Sequence, residues 1–254
     1  MAITYMEVVN DVLSEMNEVL LTSSNFANAT NIQRSVKEFV NRAYMDINNP
    51  NFKWPWLAVN ESQNDFYGNT YVETVAGQRW YDLNPSATDI NDSYGHVDWD
   101  HFSLTEEGVA GKSAPYTARS LPYVEIQEWR DMWAVSEEVN KYNTSSRTTP
   151  KRIFREPNGL RFGVSPIPDG IYRVYFYAWN RPVALENYDS VVALPDQYKS
   201  VLLARSRYYA WQRKENANQA AIAAEEYKDL LKGMRQQETA PTPDRFTDNR
   251  VRFV

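Results

Sequence analysis

Hydrophobic positions recur at helical spacing from the start of the chain. Tyr5, Val9, Val12, Leu13, Met16 and Leu20 share one side of a helix, and Asp11, Glu15 and Glu18 share the other. Thr4 and Glu7 precede this run as a T-x-x-E capping box, a pair that satisfies two free amides of a first turn. The polar stretch Asn25 to Ala29 then breaks the pattern. Thr30 and Gln33 repeat the capping box before Ile32, Val36, Phe39, Val40, Ala43 and Ile47, and Asn48-Asn49-Pro50 stops the second helix. The pattern predicts a helical hairpin over residues 1–50.

Beyond it the period changes. Trp54-Pro55-Trp56 ends helical continuity, because the Pro ring removes an amide and restrains its neighbour. Short β-type runs follow at Thr70–Val75, Arg79–Leu83 and His96–Leu104, punctuated by Gly and Pro. A short helix is predicted near 122–135, with Val124, Ile126, Trp129 and Trp133 apolar, and Lys141 to Pro150 reads as a polar loop. Lys151–Glu156 and Leu160–Val164 flank Pro157-Asn158-Gly159, and Asn-Gly between two such runs is a strong hairpin signal. Pro166 to Gly170 turns the chain into a last alternating strand, Ile171 to Trp179. Helix returns at Pro195-Asp196, with Tyr198, Val201, Leu202, Tyr208, Tyr209 and Trp211 as its stripe. A break near Asn216 leads to an Ala-rich helix through Ala220, Ala224, Tyr227, Leu231 and Met234.

The fold class expected is α+β. An N-terminal helical hairpin (1–50) packs with long C-terminal helices (193–238) against a small, mostly antiparallel β domain (51–192), and an extended tail (239–254) follows. That tail contains two prolines and three arginines and little periodicity, the composition of an extended segment that is disordered alone or ordered by a partner.

Composition narrows the function. Among 254 residues there is no cysteine, which excludes disulfides, thiolate metal sites and a cysteine nucleophile. The longest strongly apolar run, Val174 to Trp179, is far short of the ~20 residues that span a bilayer. With no secretory signal visible after Met1, a soluble protein with no membrane partner is expected. Aromatics reach 14%, more than a core of this size needs. The net charge of −6 divides into −11 over residues 1–110 and +5 over 111–254, a split suited to self-association through opposite faces or to a face turned toward a charged polymer. Chance asymmetry between two faces of a soluble domain accounts for it equally well.

Catalytic motifs are absent: no glycine-rich phosphate loop, nucleophile elbow or paired zinc histidines occurs. His96, Asp98, Asp100 and His101 form the one histidine–carboxylate cluster, which a strand would bring partly to one face, though surface polar residues explain it better than a metal. Asp89, Asn91 and Ser93 imitate the start of a calcium loop, but Gly95 comes one place late and no Glu closes it. No cofactor is implied. The aromatics leave a carbohydrate-binding or carbohydrate-active protein as an alternative, against core and interface packing. Arg147, Lys151, Arg152, Arg155 and Arg161 put five cations around one hairpin with Glu156 the sole acid among them. Such a cluster suits phosphate contact or an acidic protein neighbour, and the acidic N-terminal half favours the second.

The order of features resembles one family. A helical hairpin ends in Trp54-Pro55-Trp56, and Thr74-Val75-Ala76-Gly77-Gln78-Arg79-Trp80-Tyr81-Asp82-Leu83 follows. Leu121 to Trp133 with its paired tryptophans comes next, then Thr149-Pro150 before the Gly159 hairpin. Pro166-Ile167-Pro168-Asp169-Gly170-Ile171-Tyr172 leads to Tyr175-Phe176-Tyr177 and Arg181-Pro182-Val183, and Leu194-Pro195-Asp196-Gln197-Tyr198 opens the long helix. This is similar to the head-to-tail adaptors (connector, tail tubular protein A-like) of short-tailed bacteriophages, over most of residues 1–235. Ser86 to Ala118 and the tail carry none of it.

The resemblance implies a non-enzymatic virion protein, assembled in the host cytoplasm as a homo-oligomeric ring, typically a dodecamer. It would dock on the portal protein, offer its other rim to the tail nozzle protein, and let double-stranded DNA pass non-specifically through its bore during ejection. The terminal arm would grip the portal, with Arg245, Phe246, Arg250, Arg252 and Phe253 as its anchors. Another tail or baseplate position is the nearest alternative. Acidic side chains of the N-terminal half are expected to face the DNA, where like charge prevents sticking.

Overall fold

Thr4 opens α1 (Tyr5–Glu15) as expected, its hydroxyl accepting from the Glu7 amide at 3.3 Å. The next free amides are met by the chain after residue 181: Tyr5 N donates to Ser190 O and Met6 N to Tyr188 O. The second capping box does not form. α2 (Asn31–Ile47) has no side-chain cap at Thr30, and Gln33 instead donates to Val19 O, tying down the loop between the helices. The computed structural model describes residues 3–59, 70–84, 94–105, 119–139, 143–157 and 159–238.

The chain divides into two units. The helical unit is assembled from both ends of the sequence: α1, α2, the segment after Pro182, α5 (Lys199–Arg213) and α6 (Ala217–Glu238). Glu215, at φ 56, makes the break between α5 and α6 expected near Asn216. Val8, Val9, Val12, Leu13, Val36, Val40, Ile47, Val201 and Leu202 form the buried side of these helices. Trp54–Trp56 and residues 182–192, grouped with the β domain by the sequence pattern, belong here instead. The reason is polar anchoring. Trp54 Nε1 donates to Ile47 O at 2.7 Å, Trp56 Nε1 to Asn48 Oδ1 at 2.9 Å, and the two rings stack at 4.9 Å. Asn41 clamps Leu185 through both its backbone groups.

The β unit contains two antiparallel sheets. One has the order β1-β7-β3-β4, from Thr70–Glu73, Arg173–Trp179, His96–Thr105 and Arg119–Leu121. The other runs β2-β6-β5, from Trp80–Asp82, Arg161–Ser165 and Arg152–Arg155. Alternation sends Val72, Phe102, Leu104, Val174 and Phe176 of the first sheet, and Tyr81, Ile153, Phe162 and Val164 of the second, into one shared core. Phe162 lies 5.7 Å from Phe102 and 6.2 Å from Phe176, so the sheets meet through aromatic rings. Gly159, at φ +76, supplies the left-handed turn of the β5–β6 hairpin.

The outer face of the second sheet is covered by a helix that starts and ends about four residues later than the sequence pattern indicates. α3 (Ile126–Trp129) continues through a π-helical turn, Arg130–Ala134, into α4 (Val135–Val139). Trp129 stacks on Phe154 at 4.3 Å, and Trp80 meets the same ring edge-on at 5.1 Å. Gly163, paired with Phe154 across the ladder, makes this packing available, because a β-carbon there would overlap the Phe154 ring.

Candidate interaction surfaces

The five cations expected as one basic patch do not form a continuous face. Residues 152 and 155 lie on opposite faces of β5, since Arg152 pairs with Ser165 and Arg155 with Phe162. Arg152 lies over the Trp133 ring at 3.7 Å, on the helix-covered face. Arg155 lies over Trp99 at 5.5 Å on the other. Arg161 makes a two-pronged pair with Glu156, at 2.7 and 2.9 Å. Arg147 presses its guanidinium on Gly77, within 3.0 Å of where a β-carbon would sit, so Gly77 is needed both for that approach and for its φ of +84. Lys151 is exposed and makes no side-chain bond among the described residues. Of the five, Arg147, Arg152 and Arg155 thus rest against a glycine or an aromatic ring and Arg161 against a carboxylate.

A buried ion pair fixes the helix to its sheet. Arg79 donates to Glu137 at 3.1 Å, stacks on Trp129 at 4.9 Å and approaches Glu138 at 3.7 Å. Ser165 donates to the other oxygen of Glu137. Arg79 and Glu137 are only 10% and 14% exposed, so removing one would strand the other. The paired tryptophans of this helix both pack inward, Trp129 on Phe154 and Trp133 on Arg152.

The histidine–carboxylate cluster is a hydrogen-bonded knot. Asp98 accepts from the Asp100 amide at 3.2 Å and bonds His101 Nδ1 at 3.0 Å, with Lys53 Nζ 4.0 Å away. Burial raises the Asp98 carboxyl, but its bonds to His101 and Asp100 and the charge of Lys53 bring it below the usual range. His96 turns aside to the Trp179 ring at 5.5 Å. Among the described residues no group of three or more His, Asp or Glu draws together as metal ligands. The calcium-loop imitation, Asp89 to Ser93, lies outside the described residues, as does the arm with Arg245, Phe246, Arg250, Arg252 and Phe253.

Part of the charge split is met inside the helical unit. On α5, Lys199 bonds both Glu7 and Asp11, Arg207 bridges Glu15 and Glu226, and Arg205 donates to Asp46 at 2.9 and 3.1 Å. Lys214, just past α5, bonds Glu18 at 2.9 Å. Burial opposes the Lys199 charge, yet its two carboxylate partners push its ammonium above the ordinary lysine value. Within this unit, five of the sixteen acids before residue 110 are thus paired with C-terminal cations of their own chain.

The aromatics are also mostly internal. Trp54, Phe26, Phe102, Phe154, Phe162, Phe176, Tyr172 and Tyr175 are fully buried, and among the described residues Tyr177 and Tyr188 are the strongly exposed aromatics. What the surface exposes is aliphatic: Val19, Leu20, Met132, Val135, Val139, Val183, Val191 and Ile222. Sequence reasoning missed this set. The spacing of Met132, Val135 and Val139 was its signal, since three apolar residues on the outer side of a helix are not needed to hold it down. Among the described residues no helix is long and apolar enough to cross a membrane.

The described residues thus offer exposed aliphatic surface and ion-paired helices in an α+β chain. No curated protein matches the sequence. The family model of the SU10 adaptor protein matches residues 3–252, nearly the whole chain. The chain therefore belongs to the SU10 adaptor protein family and is a structural adaptor of a bacteriophage virion.

Proposed function

We propose that this adaptor is a ring-forming, non-enzymatic head-to-tail connector. It docks on the portal protein, presents its far rim to the tail nozzle protein and encloses the channel through which double-stranded DNA leaves. The observation that carries this reading is the family match over residues 3–252, which includes both units and most of the C-terminal segment. Two features support it. The carboxylates Glu7, Asp11 and Glu15 of α1 and Asp46 of α2 are paired by α5, which ties the helical unit together internally. The exposed aliphatics of the β unit supply material for subunit contacts.

Portal docking is assigned to residues 239–254, whose Arg245, Arg250 and Arg252 alternate with Phe246 and Phe253 as charged and aromatic anchors. Deleting 239–254 is expected to leave thermal unfolding of the remaining chain unchanged and to abolish co-sedimentation with portal rings. Unchanged docking would refute the arm assignment. Mass measurement with and without portal tests the larger reading, which a monomer indifferent to portal would sink.

A further inference from the structure

The helix Ile126–Val139 uses one side to hold its sheet, through Trp129, Trp133 and Glu137. Its other side carries Met132, Val135 and Val139, which are 62%, 75% and 77% exposed. Single exposed aliphatics are ordinary, but three in succession along one helix form a ridge. The ridge has an acidic border of Glu125, Glu128, Asp131 and Glu138, with Arg130 the one cation on the same exposed surface.

α6 carries the complementary surface. Lys228, Leu231, Lys232, Arg235 and Gln236 line a shallow groove of about 320 Å³. Lys228, Lys232 and Arg235 recur at i, i+4 and i+7, so they border the groove on one face, and Leu231 forms its apolar floor. Among the described residues Lys228 and Lys232 have no ion-pair partner. The side of α6 that serves its own unit is elsewhere, at Ala220, Ala223 and Met234.

We propose that the aliphatic ridge of one copy seats in the α6 groove of a second copy. The inference rests on the ring reading above and names its contact. Pairing ridge with ridge would oppose two acidic borders, and pairing groove with groove would oppose two cationic ones. Ridge in groove buries the aliphatics on Leu231 and sets Glu128 and Asp131 against Lys228 and Lys232. Such a contact joins two different patches, so it repeats head to tail and closes into a ring when the rotation permits.

The cysteine-free sequence makes the test direct. One population carries Val135→Cys and another, with a different affinity tag, carries Gln236→Cys. On mixing, a short bismaleimide is expected to join the two populations and to leave Val135→Cys alone uncoupled. Lys228→Glu with Lys232→Glu is expected to lower the assembled fraction at least about tenfold, and Glu128→Lys with Asp131→Lys to restore it. Circular dichroism checks that each chain is folded. Wild-type rings without the mixed cross-link, or coupling of Val135→Cys to itself, would overturn the contact and leave the ring reading standing. If wild type assembles neither alone nor on portal, the ring reading falls and the contact with it.

Discussion

At the scale of single residues, stability rests on a few positions where geometry leaves no alternative. Gly163 is one, because the Phe154 ring fills the place of its missing side chain. Gly163→Ala is expected to cost about 1–3 kcal/mol by overpacking, read as a lower melting temperature. In a Phe154→Leu background the same change should cost less, because the two sites share one space. His96 is another. Burial holds its imidazole below the ordinary 6.5, the Lys53 ammonium adds to this, and the Asp98 carboxylate pulls the other way. The folded chain therefore binds that proton less readily than the unfolded chain. Stability falls as pH drops through 6.5 toward the lower folded value, and it is regained above 6.5. Chemical denaturation of His96→Gln across that interval should lack this slope, and the wild-type His96 resonance should titrate below 6.5 by NMR.

At the scale of elements, α5 organises the helical unit. It presents Lys199 and Arg207 to α1, Arg205 and Tyr209 to α2, and Arg207 again to α6. Asp46 is the acceptor shared by Arg205 and Tyr209, so Asp46→Ala should cost about 1–2 kcal/mol in urea denaturation. The modest figure reflects an aspartate that is about a third exposed. Much of this level was legible in the sequence. Thr4 marked the start of α1, Asn48 the end of α2, and Gly159 the β5–β6 hairpin. The three-residue β4 was not, because Arg119–Leu121 is too short to show alternation. The helix after Ile126 outran its expected end because the π turn at Arg130–Ala134 shifts the periodicity by which a helix is recognised. Gln33 was read as a cap, but a loop carbonyl at Val19 competes for the same side chain.

At the scale of the whole molecule, linear clustering misled where three-dimensional alternation decides. Arg147 to Arg161 look like one patch along the chain, yet the pleat sends Arg152 and Arg155 to opposite faces and each guanidinium finds a ring, a glycine or a carboxylate. The excess of acid before residue 110 was visible, but its partners on α5 lie at separations such as the 192 residues between Glu7 and Lys199. No local pattern reports that distance. The aromatic surplus was legible as a number and not as a location, since a ring in a core and a ring at an interface have the same composition. The family, by contrast, was recognisable from element order before any contact was known.

The helical unit draws on both ends of the chain, with the β unit inserted between them. Synthesis therefore delivers α1 and α2 first and α5 and α6 last. While the intervening residues emerge, the hairpin is without the helices that cover Val36, Val40 and Ile47. The β unit, whose strands span 70–179, can close during that interval. Completion of the helical unit must then wait for α5 and α6. A nascent adaptor therefore carries its helical hairpin uncovered until α5 and α6 have been made.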